Sequence, residues 1–427
     1  MGFYTHLECT RCGRAVEGFR YSCPSCGSAL EARYDLEAAK EALDRAPLGS
    51  RRDRSMWRYA ELLPPEPENV VSLGEGFTPL IRSARIGGSL GLRGLMLKLD
   101  FENPTGSFKD RGASVMISMA KQLGFGEAVL DSSGNAASSI SAYSARLGIE
   151  CFIFVPDYAS EGKLVQSSAY GAKAFRIKGT RSDAYRAANY ARERFGWYYC
   201  GFQTNPFAIE GPKTIAFEIL EQLDWRAPDW IIIPVGTGSG LLGIYKGIEE
   251  LRAIGMIDGS PALVCVQPEG CCPIAKALRE GSDDVEPVDR PETIAEGLMI
   301  GSPLNGSRAI EAVRDTGGVG EIVSDREIFE AGAELAGREG LFVEPSAAAS
   351  LAGAKKLVEE GTADPGDIMV CVLTGIGLKT KTAYADLSKI PTIPPIGEEL
   401  EAALGKVRPR RFLIPHRQSH PGESHDR

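Results

Sequence analysis

The residue of this chain with the most evident chemical potential is Lys109, in the run Asn103-Pro104-Thr105-Gly106-Ser107-Phe108-Lys109-Asp110-Arg111-Gly112. Asn-Pro-Thr-Gly spells a turn, and the residues after it open a helix that continues through Ala113–Leu123. The helix dipole disfavours a cation in the first turn. Lys109 is therefore either an ordinary exposed lysine at a helix start or a side chain held there by an anionic or covalent partner. Histidine offers little competing chemistry. The four are His6, His416, His420 and His425, so residues 7–415 contain none. That argues against a Ser-His-Asp, Cys-His or His-rich metal centre in the body. Proton transfer there falls to a lysine, a carboxylate or a bound cofactor.

Three more turns follow apolar strands. Asp131-Ser132-Ser133-Gly134-Asn135 lies between a strand at Ala128–Asp131 and a helix at Ile140–Leu147. Its amides and hydroxyls suit an anion at a helix N-terminus, or simply cap the helix. Pro234-Val235-Gly236-Thr237-Gly238-Ser239-Gly240 follows a strand at Trp230–Val235, and its glycines let backbone N–H groups approach a phosphate. It contains G-x-G-x-x-G only in shifted form and no Gly-Lys-Ser/Thr, so the nicotinamide reading is weak and a nucleotide P-loop is excluded. Val372-Leu373-Thr374-Gly375-Ile376-Gly377 ends a strand, placing the Thr374 hydroxyl where open α/β sheets bind ligands.

A different chemistry is written at the N-terminus. Cys9-Thr10-Arg11-Cys12-Gly13 and Cys23-Pro24-Ser25-Cys26-Gly27 are two C-x-x-C-G knuckles ten residues apart. Each closes two thiolates on one metal, which predicts a structural zinc ribbon over 1–34 held by Cys9, Cys12, Cys23 and Cys26. A redox pair or a disulfide staple is the alternative. Of the other six cysteines, Cys151, Cys265 and Cys371 fall inside apolar strand-like runs and read as small hydrophobes.

The elements that must position these groups follow a regular alternation. A short helix is expected at Asp35–Asp44, a linker at Leu63–Glu68, and strands alternating with helices from about 70 to 390. Besides those already named, strands are expected at Leu95–Leu99, Cys151–Pro156, Ala262–Gln267 and Ile368–Thr374. This is an α/β pattern with mostly parallel sheets. The tail beyond Ile390 is rich in Pro, then Arg and His. With 427 residues the chain has room for two to four domains. Its net charge of −9 argues against a nucleic-acid or anionic-membrane partner. No stretch reads as a signal peptide or membrane span, which with the reduced cysteines predicts a cytoplasmic protein.

Taken together the motifs resemble those of the threonine synthase family, pyridoxal-phosphate enzymes related to cysteine synthase and the serine/threonine dehydratases. The resemblance runs from the ribbon to about residue 390. It includes Gly74-Glu75-Gly76-Phe77-Thr78-Pro79-Leu80, the lysine run and Ser133-Gly134-Asn135. It extends to Asn205-Pro206, Glu210-Gly211-Pro212-Lys213-Thr214 and Glu344-Pro345-Ser346-Ala347-Ala348. It implies the two-lobed tryptophan synthase beta-like fold, with a large cofactor lobe at 35–110 and 206–390 and a small lobe at 111–205. It also implies that Lys109 binds pyridoxal 5'-phosphate covalently and shuttles protons, and that Asn135 meets the phenolic oxygen of the ring. Gly236, Thr237, Gly238, Ser239 and Gly240 would hold the phosphate, and Thr374 the pyridine nitrogen. Ser132 and Ser133 would bind the substrate carboxylate or a leaving anion.

The implied reaction converts O-phosphohomoserine and water to threonine and phosphate, with a homodimer as one expected assembly. The ribbon, Thr374 and the 210–214 run favour it over β-replacement or β-elimination on serine, phosphoserine or a similar amino acid. An inactive zinc-ribbon binding protein is a further alternative. Three positions depart from the family pattern. Ala208 stands where an arginine or polar residue is common, Ile376 replaces a polar residue, and Thr293–Leu298 is closer to the dehydratases. Lys163, Lys213 and Arg111 are the cations expected to compensate at a substrate phosphate.

Overall fold

The computed structural model describes residues 2–159, 161–380, 384, 392–393 and 395–405. The Arg- and His-rich part of the tail expected at 391–427 lies outside these residues, as does the Lys163 side chain. Strands β1 (Tyr4–Cys9), β2 (Ala15–Val16) and β3 (Leu30–Tyr34) form an antiparallel sheet in the order β2-β1-β3. Helix α1 (Leu36–Arg45) follows, its first turn capped by the Asp35 carboxylate accepting from the Ala38 amide at 3.0 Å. The first half of the expected linker at 63–68 is instead part of the core. Leu63, Pro64 and Pro65 are buried, and the Glu66 amide donates to Gln122 Oε1 at 2.8 Å. Its leucine and prolines find an apolar surface to pack on, so a stretch whose composition suggests a spacer is tied down.

The chain then lays down β4 (Leu80–Arg82), α2 (Ala84–Ser89) and β5 (Gly94–Lys98), and passes through α3 (Lys109–Gln122) into a second sheet. That sheet is built by β6 (Glu127–Leu130), α4 (Asn135–Leu147), β7 (Glu150–Pro156), α5 (Glu161–Ala169), β8 (Lys173–Ile177), α6 (Arg181–Phe195) and β9 (Tyr198–Tyr199). Its order is β8-β7-β6-β9, all parallel. The return path is α7 (Lys213–Gln222), β10 (Trp230–Pro234), α8 (Ser239–Ala253), β11 (Ala262–Pro268), α9 (Pro273–Glu280), α10 (Gly306–Asp315), β12 (Val319–Val323), α11 (Asp325–Glu334), α12 (Pro345–Glu359) and β13 (Ile368–Val372). These strands complete a six-stranded sheet, β12-β11-β10-β13-β5-β4, parallel except for edge strand β4. Helix α13 (Glu398–Gly405) belongs to a separate unit, 385–427. No helix among the described residues is long and apolar enough to cross a membrane.

Parallel sheets are covered on both faces, so their strands are apolar throughout. Ile231, Ile232 and Ile233 of β10 all have zero exposure, with side chains entering cores on opposite sides of the sheet. The expected strands end within two residues of those found. Helix α3 starts at Lys109, within the run expected to open it, and α4 starts five residues earlier than expected, at Asn135. The polar residues at 135–139, read as loop, belong to the first turn of α4, where the Ser139 hydroxyl donates to the Asn135 carbonyl at 3.0 Å. Thr105 donates from its amide and hydroxyl to Asp110 at 2.7 and 2.6 Å, locking the turn that precedes α3.

Two buried charge clusters tie the layers together. Arg111 of α3 pairs with Asp100 and with Glu218 of α7, which also accepts from Lys98 Nζ at 2.7 Å; all four side chains have zero exposure. Burial alone would raise the Glu218 pKa, but Arg111 and Lys98 reverse this and hold it at about 2. Lys213 lies 2.7 Å from Glu210 and 2.8 Å from Glu250. Neither Arg111 nor Lys213 is therefore free to meet a substrate phosphate. Each is neutralised by two carboxylates contributed by the α7 and α8 segments or by the approach to α3, correcting the expectation that they compensate for Ala208.

Candidate active site

Because every parallel strand points its carboxyl end the same way, the turns singled out in the sequence converge at sheet edges. Lys109 opens α3 directly after the Asn103–Gly106 turn, whose backbone is laced to the end of β13. The Phe108 amide donates to the Thr374 carbonyl at 3.0 Å, and the Ile376 amide donates to the Gly106 carbonyl at 2.9 Å. Ile376 thus brackets the lysine loop from outside. Thr374 is buried, at 4% exposure. Lys109 and Thr374 are brought together by backbone contact, with Thr374 contributing its strand end.

The Lys109 ammonium lies 4.6 Å from the centre of the Phe108 ring and 4.4 Å from that of Phe202. Its Nζ makes no hydrogen bond among the described residues. Burial pushes its pKa down to about 8; the positive charge of Arg181 adds to this, and the Glu344 carboxylate opposes it. A lysine in this state loses its proton near neutral pH and is nucleophilic, unlike an exposed surface lysine. Uptake of an aldehyde by the apoprotein, followed by absorbance, is expected to accelerate as pH rises towards about 8 and then level off. A rate that keeps climbing to pH 10 refutes the lowered pKa.

The glycine turn after β10 meets the lysine through Phe108 and Phe202. A Cβ on Gly240 would come within 3.1 Å of the Phe108 ring, and one on Gly236 within 2.9 Å of the Gly297 carbonyl. Gly238 has φ +87°, a conformation that side chains disfavour. The turn is thus closed to side chains, and the first-turn amides of α8 have no intrahelical acceptors. Thr237 and Ser239 hydroxyls lie 2.9 Å apart, and Ser239 donates to the Phe202 carbonyl at 2.5 Å. Donor groups of this kind, next to a primary amine, fit a phosphate-bearing aldehyde.

On the other sheet, Asn135 donates from Nδ2 to Glu344 at 3.0 and 3.1 Å, across 209 residues of sequence. Glu344 caps the entry to α12, and burial raises its pKa against the opposing contacts of Asn135, Lys379 and Lys109. Ser132 and Ser133 occupy the half-buried turn between β6 and α4, where the Gly134 amide donates to Ser132 Oγ at 3.3 Å. Sequence reasoning singled out neither Phe202 nor Arg181, and saw Glu344 only as part of a motif. Only the acid before Pro345, at the start of a helix, carried a local signal. Lys379 donates to the Thr105 carbonyl at 2.8 Å. Ala208 is fully buried, so position 208 offers no cation. A cavity of about 290 Å³ lined by Lys40, Asp44, Leu48, Trp225 and Met256 lies apart from these groups.

The four N-terminal cysteines form a second centre. Their sulfurs lie within 4.8 Å of one another, with Cys9–Cys26 at 3.4 Å, Cys12–Cys23 at 3.7 Å and Cys12–Cys26 at 3.8 Å. One tetrahedral ion with metal–sulfur bonds of about 2.3 Å requires edges of about 3.8 Å. Gly13 and Gly27, at φ +66° and +72°, close the two knuckles. The ribbon sheet is docked on the body. Tyr34 donates to Glu210 at 2.6 Å, the Tyr199 amide donates to Tyr21 Oη at 2.7 Å, Arg308 pairs with Glu31, and Phe19 stacks on Phe207.

Comparison with known proteins agrees with this geometry. Residues 71–375 match the family described as pyridoxal-phosphate dependent enzyme. The chain is 42% identical to the threonine synthase of Methanocaldococcus jannaschii, over 90% of this chain and 95% of that one. It is 36% identical to the threonine synthase of Methanosarcina acetivorans, over 94% of this chain and all of that one. Among solved structures, the processed form of threonine deaminase isoform 2 from Solanum lycopersicum shares the fold, with a TM-score of 0.64 at 20% identity, covering 83% of this chain and 86% of that one. Maize serine racemase does so at 0.61 and 23%, covering 77% and 92%. The fold is thus the two-lobed tryptophan synthase beta-like one, and by sequence the chain belongs to the pyridoxal-phosphate-dependent enzymes and, within them, to the threonine synthase family.

Proposed function

We propose that the protein converts O-phosphohomoserine and water to threonine and inorganic phosphate, with Lys109 holding pyridoxal phosphate and moving the protons. The observation that carries this reading is the enclosed Lys109 amine beside a glycine turn, in a chain 42% identical to a threonine synthase. When bound, the cofactor supplies the electron sink that acidifies the substrate carbons. Lys109 Nζ takes and returns protons at those carbons, which is how a body without histidine performs acid–base work. Gly236, Thr237, Gly238, Ser239 and Gly240 hold the cofactor phosphate through amides and hydroxyls. Asn135 orients the ring oxygen, and Thr374 faces the ring nitrogen as a neutral partner. Ser132 and Ser133 bind the substrate carboxylate.

The lobes are taken as 35–110 with 206–390, and 111–205, in a cytoplasmic enzyme with a homodimer as its expected assembly. Cys9, Cys12, Cys23 and Cys26 bind a structural zinc, because four thiolates leave no coordination position for substrate. Two measurements test these readings. Holoenzyme given O-phosphohomoserine should release phosphate and threonine in equal amounts, and release of neither overturns the assignment. Metal analysis should find one zinc per chain whose removal lowers the melting temperature. A metal-free protein of unchanged stability defeats the ribbon.

A further inference from the structure

The reaction proposed above delivers a phosphate dianion to the cleft, yet two of the three cations expected to meet it are otherwise placed, and the side chain of the third, Lys163, lies outside the described residues. Position 208 is a buried alanine, while Arg111 and Lys213 are each engaged by two buried carboxylates. Lys379 is turned to the Thr105 carbonyl and faces Glu344 and Asp110. A different cation has the right position. Arg181 is the first residue of α6, directly after the Thr180 cap that follows β8. In a parallel sheet the helix runs opposite to the strands it covers, so the start of α6 lies at their carboxyl edge. Helix α6 packs across β6, β7, β8 and β9, and its start follows β8 after three residues, on the carboxyl edge that these parallel strands share. The end of β6 leads into Asp131, Ser132 and Ser133, and the end of β9 into Phe202, whose ring lies 4.4 Å from Lys109 Nζ. The side chain of Arg181 is exposed and has no hydrogen bond or ion pair among the described residues. Its charge acts on both Lys109 and Asp131.

Resting on the threonine synthase reading, we propose that Arg181 binds the phosphate of the substrate and of the departing product, in the place a cation at position 208 would otherwise serve. The planar guanidinium suits two phosphate oxygens at once. With Arg181 holding the γ-phosphate and Lys109 serving the reacting α-carbon, one short substrate is held at both ends. As the Cγ–O bond breaks, both electrons leave with the phosphate oxygen, and Arg181 stabilises the charge that develops there.

The test uses cofactor-loaded enzyme and its Arg181→Gln and Arg181→Lys variants, with O-phosphohomoserine as substrate and inorganic phosphate as competing inhibitor. Arg181→Gln should raise KM for O-phosphohomoserine and the phosphate inhibition constant together, each by about tenfold to a hundredfold. Arg181→Lys should recover part of both. The visible spectrum of the bound cofactor should remain, separating phosphate binding from cofactor loss. If wild type makes threonine but Arg181→Gln keeps both constants, the Arg181 assignment is overturned and the reaction stands. If wild type makes none, both fall.

Discussion

Lys109→Ala should abolish threonine formation, lowering kcat by a factor of about a thousand or more, and should remove the visible band of the covalently held cofactor. The size follows from two losses on one atom. The amine is the only covalent anchor proposed for the cofactor and the only proton carrier proposed at the substrate carbons. The loss should be specific, because Lys109 Nζ makes no hydrogen bond among the described residues and lies between two phenyl rings. Truncation removes one buried charge and breaks no ion pair, so the variant should fold with near wild-type secondary structure. Lys109→Arg is the sharper variant: it keeps a cation between the rings but not a titratable amine, and it should be as inactive as the alanine form. A variant retaining the band and a tenth of the activity refutes the assignment.

The largest effect on stability should come from Glu218→Ala, which leaves Arg111 and Lys98 buried without their shared carboxylate. Removing one partner of a buried pair costs about 3–5 kcal/mol. The exposed Lys173–Glu150 pair, at 52% and 55% exposure, is the internal comparison, and its removal should cost at most about 1 kcal/mol. Denaturant midpoints read both. The contribution of Glu218 should also depend on acid in a defined direction. Its folded pKa of about 2 lies below the unfolded value near 4.3, so its stabilisation is complete above about pH 4.3 and declines as pH falls toward 2. The stability gap between wild type and Glu218→Gln should narrow over that interval. A gap that stays constant down to pH 2, or a Glu218→Ala cost no larger than that of the exposed pair, contradicts the structural role.

Lys109, the glycine turn and the two cysteine knuckles were legible in the sequence because each is a local pattern whose physics is decided within about ten residues. The strands were legible too, since a parallel sheet buried on both faces writes continuous apolar runs such as Ile231 to Ile233. Pairings across the chain were not. Arg111 reads as an available cation until Glu218 arrives 107 residues later, and Lys213 until Glu250 does. Glu344 gains its place beside the lysine through Asn135, 209 residues away. Phe202 is an unremarked aromatic in sequence, and its proximity to Lys109 exists only once two sheets face each other. The supposed linker at 63–68 failed for the complementary reason, that proline content describes backbone preference and not what lies underneath.

The docking of the ribbon has a consequence for the order in which the molecule is made. Four of its contacts with the body join residues 176 to 277 positions apart, from Tyr34–Glu210 to Glu31–Arg308. The knuckles leave the ribosome well before these docking surfaces, which lie more than 170 residues further along the chain. A thiolate cluster closed by metal is complete within thirty residues and needs none of those surfaces, so it waits as a finished piece. Long-range closure is the slow part of folding. Metal starvation during synthesis should therefore slow or misdirect the final joining of ribbon and body far more than chelation of the finished enzyme does.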